Sequence, residues 1–262
     1  PDGNYWRAFI FIENAITYQT VEKPEHFYYS GCAFGKFQRL LADYPSATLG
    51  ETIPNFHNTA SRYRDFEQAV KENASGRADE VREEIAFIRA RAADCSILTD
   101  LLAKGELPLR VTHNDTKLNN VMLDDVTGRP VCVIDLDTVM PGLSLYDYGD
   151  SMRFGTNPAA EDETDLSKVT CDLNLFEQYT KGFLEECGSM LTPQEIENLP
   201  LSAKLMTLEC GMRFLADHIA GDTYFKIHRE GHNLDRCRTQ LKLVADMEAK
   251  MDTMKQIVEK YR

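Results

Sequence analysis

Residues 111–123 read V-T-H-N-D-T-K-L-N-N-V-M-L, and a short turn later comes P-V-C-V-I-D-L-D. The polar groups His113, Asp115, Asn120 and Asp135 stand there in an order that suits phosphoryl transfer. Such a transfer asks a protein for little covalent chemistry; it needs reactants positioned and developing charge cancelled. Asp115 would hydrogen-bond the attacking hydroxyl and accept its proton. Asn120 would offer a neutral oxygen and Asp135 a charged one to magnesium, which keeps waters and phosphate oxygens as its other ligands. His113 would brace the same loop through its ring nitrogens. Taken alone, D-x-x-x-x-N is a weak sign, because Asp and Asn are common turn formers. The sequence H-x-D, D-x-x-x-x-N, strand, turn, and apolar strand ending in Asp135 is far more specific.

These groups need a scaffold. Residues 120–123 read as a short strand, 124–130 as a turn containing Gly128, and 131–134 as a second strand, together a hairpin. Upstream, residues 5–12 (Y-W-R-A-F-I-F-I) have the aromatic and β-branched content of a buried strand. Helical spacing follows in residues 30–44, with Phe34, Phe37 and Leu41, and in residues 77–104, where Val81, Ile85, Ile88, Ala92, Cys95 and Leu98 recur on a charged background. Gly105 and Pro108 punctuate its end. Beyond Arg153, helices are expected over 173–187, over 194–217 with Thr192-Pro193 as the start signal, and over 234–261 with Asn233 as cap. The apolar seam of the last one, rich in Met, predicts packing on its own domain rather than a dimerising coiled coil. Residues 155–165, with Pro158 and several acids, read as a loop suited to the rim of a site. His228 and His232 have the i, i+4 spacing of a zinc pair, but Gly231 between them argues against a helix there.

The 262 residues, 43% of them hydrophobic, suffice for one large domain or two small ones. No apolar run reaches bilayer-spanning length. Seven cysteines without a C-x-x-C pair read as reduced core residues of a cytoplasmic protein. A net charge of −13 argues against nucleic-acid binding and against docking on anionic lipid.

The loop and hairpin resemble the aminoglycoside phosphotransferase and choline kinase-like superfamily. Within it the chain is most similar to the anomeric N-acetylhexosamine kinases. That similarity rests on I-D-L-D-T-V-M-P-G-L from Ile134, Y-D-Y-G-D-S-M-R-F-G from Tyr146, E-T-I-P-N-F-H-N-T from Glu51, G-D-T-Y-F-K from Gly221 and H-N-L-D-R-C-R-T-Q from His232. The resemblance implies an α+β, protein-kinase-like fold, mostly its helical C-terminal lobe with a small catalytic β-hairpin. It implies ATP and Mg2+ as cofactors and phosphorylation of the C1 hydroxyl of GlcNAc or GalNAc. It also implies sugar contacts from Asp115, Phe154, Arg213 and Tyr224, a structural role for Asp147 in anchoring the catalytic loop, and adenine against the hinge backbone of Ile12, Glu13 and Asn14. Residues 1–20 then correspond to the last strand of the N-terminal lobe and the hinge, and 21–262 to the C-terminal lobe. The phosphate-covering glycine loop and strand lysine of that superfamily are not found ahead of Tyr5, so these residues by themselves are expected to bind ATP weakly and turn over little. The same loop serves other alcohols (an aminoglycoside, choline, homoserine), and a non-catalytic binding module is the alternative of a different class.

Overall fold

A computed structural model describes Gly3 and residues 6–262. The hairpin is present: β3 (Val121–Asp124) pairs antiparallel with β4 (Pro130–Val133), and β1 (Ala15–Ile16) adds to the other edge of β3. A second antiparallel pair, not anticipated from the sequence, joins β2 (Arg110–Thr112) to β5 (Met140–Gly142). These two ribbons bracket residues 113–120, the expected catalytic loop. β2 leads into it, β3 leaves it, and β4 and β5 carry the chain past it again.

The remaining regular elements are helices. α1 (Pro24–Leu40) lies against the hairpin and packs most extensively on α6 (Leu173–Cys187). α5 (Ser144–Gly155) sits beneath the catalytic loop and against α7 (Pro193–Ala220), which in turn lies along α8 (His232–Tyr261) and α2 (Thr59–Glu72). One apolar core lies among α1, α5, α6, α7 and α8, and a second joins α2 and residues 81–95 to α7 and α8.

Local chemistry explains where several elements begin. Asp172 caps α6 by accepting the N–H groups of Asn174 and Leu175. Thr192 and Glu195 form a reciprocal capping box at the start of α7, with Pro193 in the first turn. Four expectations need correction. Residues 6–12 form no strand: Trp6, Phe9, Ile10 and Phe11 are at least 82% exposed, and no described neighbour supplies the ladder partners a strand requires; Tyr5 lies outside the described residues. Residues 77–104 are not one helix but α3 (Arg82–Arg89) and α4 (Ile97–Ala103) separated by tighter 3-10 turns. The first helix begins at Pro24 rather than residue 30, and the last is capped at Gly231 (φ 72°) rather than at Asn233.

α5 approaches α7 closely because of Gly149. A Cβ there would stand 2.5 Å from the carbonyl oxygen of Ser202 and 2.6 Å from Met206 Cγ. Gly149→Ala is therefore expected to force the two helices apart and cost about 1–3 kcal/mol. A thermal melt should register this as a Tm lowered by several degrees, given roughly 2–4 °C per kcal/mol for a chain of this size.

Candidate active site

Helix α5 holds the catalytic loop by its backbone. Asp147, fully buried, accepts the N–H of His113 at 2.9 Å on one oxygen and the N–H of Asn114 at 2.8 Å on the other. Gln38 from α1 adds a third donor at 2.8 Å. Burial pushes the Asp147 carboxyl pKa up, opposed by His113 and by these donors. One turn further, Asp150 accepts the N–H of Thr116 at 3.1 Å, and Ser151 donates to the Thr116 carbonyl at 2.8 Å. Asp150 is also ion-paired with Arg153 at 2.9 Å. Burial alone would raise the Asp150 pKa, but Arg153, His57 and Lys117 outweigh it and hold the carboxyl below its usual range.

The ring of His113 is wholly buried. Its Nδ1 takes the N–H of Asp115 at 3.3 Å, so the ring proton resides on Nε2 and is donated to the Ile134 carbonyl at 2.9 Å. Phe34 and Phe37 meet it edge-on. With both nitrogens committed, His113 ties the loop to the end of β4 and is not placed to shuttle protons. Asn114 adopts the left-handed region (φ 64°), and its amide donates to the Thr138 carbonyl at 2.9 Å.

Asp115 follows, with one oxygen 2.9 Å from the Lys117 ammonium and the other accepting from Asn120 Nδ2 at 3.1 Å. The second Asn120 amide proton goes to the Asp115 carbonyl at 2.8 Å. With both amide protons spent, the Asn120 Oδ1 stays available as an acceptor. The Ile134 N–H donates to the Asn120 carbonyl at 2.9 Å, which brings the end of β4, and the exposed Asp135 after it, alongside. Asp135 is held at a positive φ of 58°, a conformation uncommon for a non-glycine residue and frequent at functional sites. A neutral amide oxygen and a carboxylate are hard donors of the kind magnesium takes, so the residues present fit that ion.

Beside Asp115 opens a cavity of about 560 Å³. Asp115 and Lys117 line it, as do Arg213 from α7 and Tyr224 from the segment between α7 and α8. The Arg213 guanidinium lies 5.4 Å from the centre of the Phe56 ring and 5.4 Å from that of Phe225. Phe154 does not line this cavity; it borders a smaller one of about 250 Å³ on the far side of Arg153 and Glu161, which line both. The loop of residues 155–165 does reach the rim, through Glu161. Of the residues expected to form the hinge, Ile12 is half-buried, Glu13 and Asn14 are exposed, and the Asn14 carbonyl accepts the Asp125 N–H at 3.0 Å. His232 spends its Nδ1 on the His228 N–H at 3.2 Å and sets Nε2 3.1 Å from Asp162, so both of its ring nitrogens are engaged within the chain.

Several cavity groups were not singled out from the sequence. Lys117 lay in plain view, two residues after Asp115. Asp150 and Arg153 share one helix face three residues apart, a spacing visible in D-Y-G-D-S-M-R. His57 and Glu209 meet across 152 positions and leave no local signal.

The family model described as the phosphotransferase enzyme family matches residues 2–169. Among solved structures, a choline/ethanolamine kinase family protein from Mesorhizobium loti shares 19% identity, with 95% of this chain and 73% of that one covered at a TM-score of 0.53. A microcompartment-associated aminopropanol kinase gives 15%, 92%, 73% and 0.54, and Plasmodium vivax ethanolamine kinase 14%, 88%, 64% and 0.50, in the same order. At such identities the likeness speaks to the fold, which is protein-kinase-like. With its helical lobe and catalytic hairpin in that arrangement, and the family pattern extending over more than half its length, this chain belongs to the phosphotransferase enzyme family.

Proposed function

We propose that the protein transfers the γ-phosphoryl group of ATP to the anomeric hydroxyl of an N-acetylhexosamine, GlcNAc or GalNAc. Asp115 receives the hydroxyl proton at the cavity floor, and Lys117 steadies the carboxylate. Burial works against the charged form of Lys117, yet Asp115 and Asp150 raise its pKa above the usual value, so the ammonium persists. Asn120 and Asp135 would hold Mg2+, which neutralises phosphate charge when bound. At the hinge, the backbone of Ile12 and Glu13 is left for adenine, since the Asn14 carbonyl is already engaged.

The observation that carries the choice of acceptor is the charge pairing inside the 560 Å³ cavity. Its carboxylates are all occupied: Asp115 by Lys117, Asp150 by Arg153, Glu161 by Arg153 and Arg236, and Glu209 by His57. Nothing acidic is left over for an ammonium headgroup. Arg213 instead has no carboxylate within salt-bridge distance among the described residues and is framed by aromatic rings. Such a lining suits a neutral, hydroxyl-rich ring whose apolar face packs on an aromatic plane. Choline, ethanolamine and aminopropanol, which are cations, fit it poorly.

An acceptor screen on the full-length protein with ATP and Mg2+ tests this. Phosphate transfer to GlcNAc or GalNAc is the expected result; transfer to kanamycin or choline but to neither sugar would overturn the assignment. Arg213→Met should raise the KM for the sugar about tenfold, equivalent to ~1.4 kcal/mol, while leaving the KM for ATP unchanged. Initial rates with each substrate varied in turn will separate the two.

A further inference from the structure

The segment E-T-I-P-N-F-H-N-T leads into α2 and carries His57. His57 is buried, and its two ring nitrogens reach in opposite directions. Nδ1 stands 2.9 Å from Glu209 Oε1 on α7, and Nε2 stands 2.9 Å from the carbonyl oxygen of Asn114 in the catalytic loop. The other Glu209 oxygen accepts the Thr59 hydroxyl at 2.7 Å. Both His57 and Glu209 line the acceptor cavity.

The partners fix the protons. A backbone carbonyl can only accept, so Nε2 must carry hydrogen. Between Nδ1 and Glu209 there is then one shared proton, whichever atom holds it. The Asn114 carbonyl belongs to the peptide unit that joins Asn114 to Asp115. The N–H of Asn114 is already pinned by Asp147, and the N–H of that same 114–115 unit by His113. His57 supplies the remaining constraint on the plane from which Asp115 departs. Asn114 holds a left-handed backbone, which Asn adopts more readily than other side-chain-bearing residues, and this bond helps to fix it there.

We propose that His57 is the positioning residue of the catalytic carboxylate: its Nε2–H, donated to the Asn114 carbonyl, sets the orientation of Asp115 toward the acceptor hydroxyl. Glu209 and Thr59 serve this by fixing the imidazole ring. The inference rests on the kinase reading for its consequence in rate, but the hydrogen bond itself is a property of the fold.

Two amide variants separate positioning from mere filling of the core. The amide nitrogen of Gln can occupy the place of Nε2 and keep the bond to Asn114; that of Asn mimics Nδ1 and keeps only the bond to Glu209. In the full chain, His57→Gln should retain kcat to within about threefold, whereas His57→Asn should lose roughly a hundredfold, the scale of a displaced reacting group. KM for ATP should be unchanged in both. Equal losses, or better survival of His57→Asn, would refute the role. Nitrogen-15 spectra of the wild-type histidines give a second reading that needs neither activity nor a folded variant. A slowly exchanging proton on His57 Nε2 is expected, and a bare imine nitrogen there would sink the proposal even if the protein proved an active kinase. Should wild type transfer phosphate to no alcohol while the Nε2 proton is observed, the functional reading fails and the loop contact stands.

Discussion

Asp115→Asn is expected to lower kcat by about 10²–10⁴-fold, the usual contribution of a positioned acid–base group, with little change in Tm or in nucleotide affinity. The expectation of a rate effect without a stability effect follows from where the side chain sits. Asp115 is a quarter exposed and faces the acceptor cavity, so replacing its charge disturbs no buried ledger of donors. Lys117 can still reach the remaining amide oxygen. The Asn120 amide then faces another NH₂ group, a local cost of about 1 kcal/mol at a partly hydrated position. What the variant cannot do is take up a proton from the attacking hydroxyl. Steady-state rates, nucleotide titration and a melt on the same preparation decide the matter. Wild-type turnover in Asp115→Asn would remove the catalytic assignment from this residue.

How far a single sequence foreshadowed this arrangement depends on the range of the interactions involved. The hairpin was readable because β3 and β4 are consecutive, separated by a turn with Gly128 at a positive φ of 68°. The boundaries of α6 and the start of α7 were readable for an equally local reason: caps and a proline mark them within four residues. Periodicity failed where it had nothing to report. Helix α5 is buried on nearly every side, so its residues show no polar face, although it carries Asp147 and Asp150. Over residues 77–104 the apolar spacing persists through 3-10 turns, which break hydrogen-bond register without breaking the pattern. Residues 6–12 show the opposite failure, a strand-like composition with no partner to pair with among the described residues. At the site, the order of His113, Asp115, Asn120 and Asp135 along the chain gave the loop; its supports could not be inferred from order. Gln38, His57 and Glu209 arrive from α1, the start of α2 and the middle of α7, and only the folded chain brings them to the same few peptide units.

The anchor of that assembly is where the largest loss of stability should appear. Asp147→Ala removes the acceptor for three donors at once, the N–H groups of His113 and Asn114 and the Gln38 amide, at a position with no access to water. An unpaired buried donor costs on the order of 1–3 kcal/mol, so three of them, relieved in part as the loop relaxes, come to about 3–5 kcal/mol. A fall in Tm of roughly 6–20 °C follows from it. Activity should fall too, since Asn114 and Asp115 take their backbone positions from the same carboxylate. Asp147→Asn keeps the volume and one acceptor oxygen but turns its NH₂ toward a backbone N–H, so its loss should be intermediate. The comparison with Asp115→Asn makes the distinction sharp: one variant loses rate and keeps its melting point, the other loses both. A melting curve for Asp147→Ala that overlays wild type would mean the loop is held by Asp150, Ser151 and His57 without it, and the anchoring role would have to be reassigned to them.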